Sequence, residues 1–144
     1  MLEQQESFPS IRLLVVDDEP IVGKRLQQVY VKLGFDVEIF TNSADALAAM
    51  VENPFQIVVT DLRMDGMDGW EVLRQARAIN PETRVIVITA YAQDETANKA
   101  EQLGAFDFIA KPFRLDELKQ VVYAAVEDLL RNGQSVPVNG AEFS

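Results

Sequence analysis

Five short apolar runs, separated by segments of helical period, constrain this chain more than any other feature. Ile11-Arg12-Leu13-Leu14-Val15-Val16 stops at Asp17-Asp18, and similar runs cover residues 37–40, 56–60, 84–89 and 106–110. Near-continuous apolar runs suit strands covered on both faces, as in a parallel sheet. The third and fourth are rich in Val and Ile, as buried parallel strands should be.

Between the runs the period changes. After Pro20, the residues Val22, Leu26, Val29 and Leu33 recur at helical spacing, and Gly34 stops the helix. Residues 43–52 read as a second helix with Ser43 as its cap, ended by Asn53-Pro54. Residues 70–79 form a third, ended by Asn80-Pro81, and residues 93–103 a fourth, followed by Gly104. Leu115, Leu118, Val122, Val126 and Leu129 make the stripe of a fifth, with Gly133 beyond it.

Strand then helix, five times over, predicts an α/β fold: a doubly wound five-stranded parallel sheet with right-handed crossovers and helices on both faces. In the flavodoxin-like (βα)5 strand order 2-1-3-4-5, strands one and three meet at the switch point. Ligands bind there, beyond the carboxyl ends of the strands. The expected unit spans residues 11–131. Residues 1–10 read as a disordered lead-in, and residues 132–144 as a disordered tail or the start of a linker.

Composition removes several classes of function. The 144 residues fit one domain, and they include no Cys and no His. Disulfides, thiolate and imidazole metal sites, Ser-His-Asp triads and a phosphohistidine on this chain are therefore excluded. A formal net charge of −10 opposes direct binding to nucleic acid or to an anionic membrane. No apolar run approaches a membrane span and no signal segment opens the chain, so it reads as cytoplasmic.

The chemistry sits where the strands end. Asp17-Asp18 closes strand one, Asp61 strand three and Thr89 strand four, and strand five runs into Lys111-Pro112. In the predicted fold these five polar side chains meet on one rim. Three carboxylates that close repel each other and need cations. Lys111 supplies one, and Mg²⁺ suits the other role because it takes a few carboxylates plus waters. Taken singly, each residue is ordinary. An Asp after a strand is often a cap or turn residue, and Lys-Pro is a common loop pair. At four strand ends together, coincidence is a poor account.

The segments LLVVDDEP, VVTDLRMDGMDGWEVL, VIVITAY and GAFDFIAKPF resemble the hallmark segments of response regulator receiver domains of the CheY-like superfamily. The resemblance covers about residues 11–130. It implies that Asp61 is the phosphoacceptor, and that Asp18 and Asp61 ligate Mg²⁺ together with the backbone carbonyl of Arg63. Asp17 would hold the metal through water. Thr89 and Lys111 would contact the phosphoryl oxygens, and Phe108 matches the aromatic that changes rotamer with Thr89. On pattern alone, Phe108 is equally a plain core aromatic. The resemblance further implies a cis peptide between Lys111 and Pro112. One position departs from the family pattern: Asp65 stands where many receivers have Pro.

A carboxylate nucleophile forms an acyl phosphate, and the transfer asks the protein mainly for alignment and charge neutralisation. With no His on the chain, the resemblance implies a sensor histidine kinase or a histidine phosphotransfer protein as donor. It also implies a downstream output domain or protein, controlled through the face of helix 4, strand 5 and helix 5, near which Tyr91 lies. The oligomeric expectation is a monomer or a phosphorylation-dependent dimer. Residues 85–113 are similar to receivers of enhancer-binding transcription activators. Water attack on the acyl phosphate would reset the switch slowly.

Three other readings compete. A Mg²⁺-dependent phosphatase with an Asp nucleophile would need a substrate cap, and the loops are short. A flavin-binding module would need a Ser/Thr/Gly-rich phosphate loop after strand one, where the chain has Asp17-Asp18-Glu19-Pro20. A degenerate receiver would lack part of the set Asp17, Asp18, Asp61, Thr89 and Lys111.

Overall fold

A computed structural model describes residues 11–62, 69–90 and 93–132, the side chain of Asp94 excepted. The elements run β1 (Arg12–Val16), α1 (Pro20–Lys32), β2 (Asp36–Phe40), α2 (Ser43–Glu52), β3 (Ile57–Asp61), α3 (Gly69–Ile79), β4 (Arg84–Thr89), α4 (Asp94–Gln102), β5 (Asp107–Ala110) and α5 (Leu115–Asn132). The strands form one parallel sheet in the order β2-β1-β3-β4-β5. This is the expected doubly wound architecture. Helix α5 reaches Asn132, one residue past the expected end of the unit.

Burial on both faces explains the unbroken apolar runs. Strand residues alternate sides, so Leu13, Val15, Ile57, Val59, Ile86 and Ile88 join Leu26 of α1 and Leu118 and Val122 of α5 in one core. Leu14, Val16, Val58, Val85 and Val87 join Met50 of α2 and Val72 and Leu73 of α3 in the other. Burying each such side chain contributes roughly 1.5–3 kcal/mol. Every residue of β3 is buried, including its last, Asp61.

Two helices end on glycine as expected. Gly34 (φ 99°) donates to the Val31 carbonyl at 3.0 Å, and Phe35 N–H donates to Tyr30 O at 3.0 Å. Gly104 (φ 96°) repeats the pattern, with its N–H on Glu101 O and Ala105 N–H on Ala100 O. These paired bonds satisfy the last carbonyls, and only glycine enters the left-handed region at no steric cost.

The start of α2 differs from expectation. Asn42, not Ser43, is the cap: its side chain accepts the Asp45 N–H at 2.8 Å, and its amide donates back to Asp45 Oδ2 at 3.0 Å. Asn42 has the extended backbone (φ −141°, ψ 155°) from which a side chain can reach back, whereas Ser43 is already helical and buried.

Helix α4 is held lightly. Among its described side chains only Ala100 is buried. The far end of α5 is tied to β4 through Arg84, whose Nη2 lies 2.8 Å from Asp128 Oδ2. Tyr30 is 1% exposed, lies edge-on to Phe35, and buries its hydroxyl with no hydrogen-bond partner among the described residues. Among the described residues, no helix is long and apolar enough to cross a membrane.

Candidate functional site

The site is built at the carboxyl ends of the strands. Asp17 follows β1 and stays in line with the sheet because its N–H donates to Phe40 O at 3.1 Å. Its Oδ1 accepts the Glu19 N–H at 2.9 Å, a turn that leads into Pro20 at the first position of α1. Asp61 ends β3 and pairs with Ile88, and the next residue, Leu62, donates to Ile88 O at 3.1 Å. Lys111 follows β5, with its N–H on Thr89 O at 2.8 Å. The peptide between Lys111 and Pro112 is cis, as expected.

These placements bring the charged groups together. Asp17, Asp18 and Asp61 each offer a carboxylate oxygen, and the three oxygens lie within 4.8 Å of one another. Lys111 Nζ stands 2.7 Å from Asp61 Oδ2 and 3.4 Å from Asp17 Oδ2. Asp17 and Asp61 are only 4% and 6% exposed, while Asp18 is half-buried.

Electrostatics follow from that crowding. Burial raises the Asp17 pKa above the ordinary carboxylate value, and the charge of Asp61 adds to the rise; the Glu19 N–H and Lys111 oppose it without cancelling it. For Lys111, burial disfavours the ammonium. The hydrogen bond to Asp61 and the charges of Asp17 and Asp61 outweigh burial, so its pKa is raised.

Thr89 closes β4, fully buried, opposite Ala110 of β5. Phe108 pairs with Val87, is half-buried, and packs against the core beneath α2 and α3. By strand alternation, Thr89 shares its face of the sheet with Val87 and Phe108. Arg63, Asp65 and Tyr91 lie outside the described residues.

Sequence reasoning missed Gly69. Its N–H donates to Leu62 O at 2.9 Å. A Cβ added there would collide with the Asp61 carbonyl oxygen and stand 2.6 Å from Leu62 Cα. A signal was available, because glycine is a poor helix former and this one opens a helix. Its neighbour Trp70 offers its ring to Lys99 of α4, with Nζ 4.5 Å from the ring centroid.

This fold, with three carboxylates and a lysine converging on one rim, can be set against known proteins. The family model of the response regulator receiver domain matches residues 13–123. The chain belongs to that family. This receiver domain is 40% identical over 116 residues to the regulatory protein AtoC of Escherichia coli K12, which covers 81% of the chain but 25% of AtoC. It thus spans about a quarter of that relative's length. A crystal structure of a CheY-like receiver domain protein from Methanospirillum hungatei JF-1 superposes with a TM-score of 0.82 at 26% identity, covering 86% of this chain and 99% of that one. The solution structure of a beryllofluoride-activated NtrC4 receiver domain dimer superposes at 0.77 with 30% identity, covering 81% and 97%.

Proposed function

We propose that residues 11–131 form a receiver unit that accepts a phosphoryl group onto Asp61 from a sensor histidine kinase or a histidine phosphotransfer protein. The observation that carries this reading is the Lys111 ammonium 2.7 Å from the buried Asp61 carboxylate, with Asp17 and Asp18 alongside. In the transfer an Asp61 oxygen forms a bond to phosphorus. The bond from phosphorus to the donor's imidazole nitrogen breaks, and that nitrogen keeps the electron pair. Lys111 orients the nucleophile and then faces the phosphoryl oxygens, and Thr89 contacts them from the end of β4. Hydrolysis of the acyl phosphate resets the unit slowly, so the chain is a switch that promotes its own phosphorylation and dephosphorylation.

The donor set fits Mg²⁺. Three carboxylates supply only hard oxygen ligands, and their repulsion rewards a divalent cation. Asp18 and Asp61 would ligate it with the Arg63 carbonyl, and Asp17 would act through water. Bound there, Mg²⁺ supplies further neutralisation of the phosphoryl charge.

The output is a change at α4, β5 and α5, with Thr89, Phe108 and Tyr91 as its moving parts. A phosphoryl group at Asp61 draws the Thr89 hydroxyl toward it, and Phe108 fills the space released. That face would control an output domain or protein in the cytoplasm, as a monomer or a phosphorylation-dependent dimer, with no contact of its own to nucleic acid or membrane. The relatives' greater length supports a further output region.

Acetyl phosphate with Mg²⁺ tests the assignment by intact mass. Wild type gains one phosphoryl group and Asp61→Asn gains none, because an amide is no nucleophile. An equal gain in the variant refutes the role of Asp61.

A further inference from the structure

We infer that Gly69 is a positioning residue for phosphoryl transfer: its missing side chain lets the start of α3 rest against the backbone of Asp61 and set where that carboxylate stands. The inference rests on Asp61 being the phosphoacceptor.

The backbone of Asp61 is held from two sides. On one, the β3–β4 ladder pairs Asp61 with Ile88, and Leu62 N–H bonds to Ile88 O at 3.1 Å. On the other stands α3, anchored in the core by Val72 and Leu73, both fully buried. Gly69 closes the gap between them. It donates to Leu62 O at 2.9 Å, and a Cβ there would collide with the Asp61 carbonyl oxygen and meet Leu62 Cα at 2.6 Å and the Asp61 carbonyl carbon at 2.9 Å. All three are backbone atoms, so no side chain can swing aside to make room.

A methyl group at this point must therefore displace either the end of β3 or the start of α3 by about 1 Å to restore normal contact. Phosphoryl transfer draws its catalysis largely from alignment and neutralisation. A misplacement of about 1 Å costs on the order of 100-fold in rate even when the mutated residue never touches the reacting atoms.

The test is Gly69→Ala with acetyl phosphate and Mg²⁺, compared with wild type, Asp61→Asn and Val72→Ala. Val72→Ala is a destabilised control on the same helix. Rates are normalised to the folded fraction from urea melts. The expected result is a maximal rate down by about 100-fold in Gly69→Ala, with the half-saturating donor concentration little changed, and a Val72→Ala rate near that of wild type. Equal slowing in both helix variants at matched folded fraction overturns the positioning role, as does a full rate in Gly69→Ala. Wild type that takes no phosphoryl group, or Asp61→Asn that takes as much, defeats the phosphoacceptor reading itself and this inference with it. Should Gly69→Ala not fold, hydrogen exchange on wild type decides. The Gly69 amide must stay protected with and without beryllofluoride and Mg²⁺, and exchange at the rate of an unprotected peptide in either state overturns the proposal.

Discussion

Lys111 Nζ stands 2.7 Å from Asp61 Oδ2, although 50 positions separate the two residues in the chain. The contact exists because β5 lies two strands from β3 in the sheet and both release their ends on the same rim. It places an ammonium against a carboxylate that shares a confined space with two others.

Replacing Lys111 by Met leaves those three carboxylates without that charge. Breaking a buried pair typically costs about 3–5 kcal/mol. Lys111 keeps 22% of its side chain in water, so we expect a smaller loss, about 2 kcal/mol. Urea denaturation without Mg²⁺ measures it, and added Mg²⁺ should recover part of it by linkage. A variant as stable as wild type in magnesium-free buffer would show that the pair contributes nothing net.

Mg²⁺ should raise the melting temperature of wild type, and Asp18→Ala should abolish that rise while relieving some repulsion at baseline. The single tryptophan, Trp70, is the second residue of α3, nine positions after Asp61, so its fluorescence offers a second readout. A magnesium titration unchanged in Asp18→Ala would argue against a ligand role.

Asp17 sets a pH dependence. Burial raises its pKa in the folded chain, so the folded state binds that proton more tightly than the unfolded state does. Stability tied to this group is fully present below the ordinary aspartate pKa and is lost as pH rises through the folded value. Without Mg²⁺, Asp17→Asn should therefore be more stable than wild type at neutral pH. The advantage should close as pH falls through the folded value toward the ordinary aspartate range. Paired urea midpoints across that interval check it, and a pH-independent difference would contradict it.

Thr89→Ala should separate chemistry from signalling. The variant should still take phosphoryl from acetyl phosphate, more slowly at most, because Lys111 and Mg²⁺ carry most of the neutralisation. It should respond less around α4 and Phe108, because a ligand shifts an equilibrium only by its preference for one state and the hydroxyl provides much of that preference. Amide NMR spectra with and without beryllofluoride and Mg²⁺ make the comparison. Full wild-type shifts between Tyr91 and Phe108 in the variant would remove Thr89 from the coupling.

Tyr30 hides a hydroxyl that makes no hydrogen bond among the described residues. Burying such a group costs roughly 1–3 kcal/mol, so Tyr30→Phe should keep the ring packing against Phe35 and gain about 1 kcal/mol. Thermal or urea melts decide, and a clear loss of stability would mean that the hydroxyl has a partner in solution.

What could be read from the chain depended on whether a signal was local. The Val- and Ile-rich runs revealed β3 and β4 because parallel strands buried on both faces leave no polar alternation. The glycines at 34 and 104 marked helix ends for a conformational reason that acts within a few residues. The site was legible because Asp17, Asp18, Asp61 and Lys111 each end or follow a strand, so the fold alone makes them meet. Asn42 and Ser43 are adjacent and both cap well, so pattern could not choose between them. Gly69 escapes a sequence reading because its reason lies in the backbone of Asp61, eight residues earlier. Tyr30 and the Arg84–Asp128 pair likewise depend on distant elements that periodicity does not register.

Stiffness is unevenly distributed around the sheet. Strand β3 is buried along its whole length, whereas α4 commits only Ala100 of its described side chains to the interior. Elements with few buried contacts open at low free energy, while core strands open only with the whole domain. On the proposed reading, the molecule has a rigid anvil where the phosphoryl charge would arrive and a flank with little buried surface beside it. A modest push at the rim would then act mostly on α4, because few buried contacts have to be broken there and many would have to be broken nearer the centre.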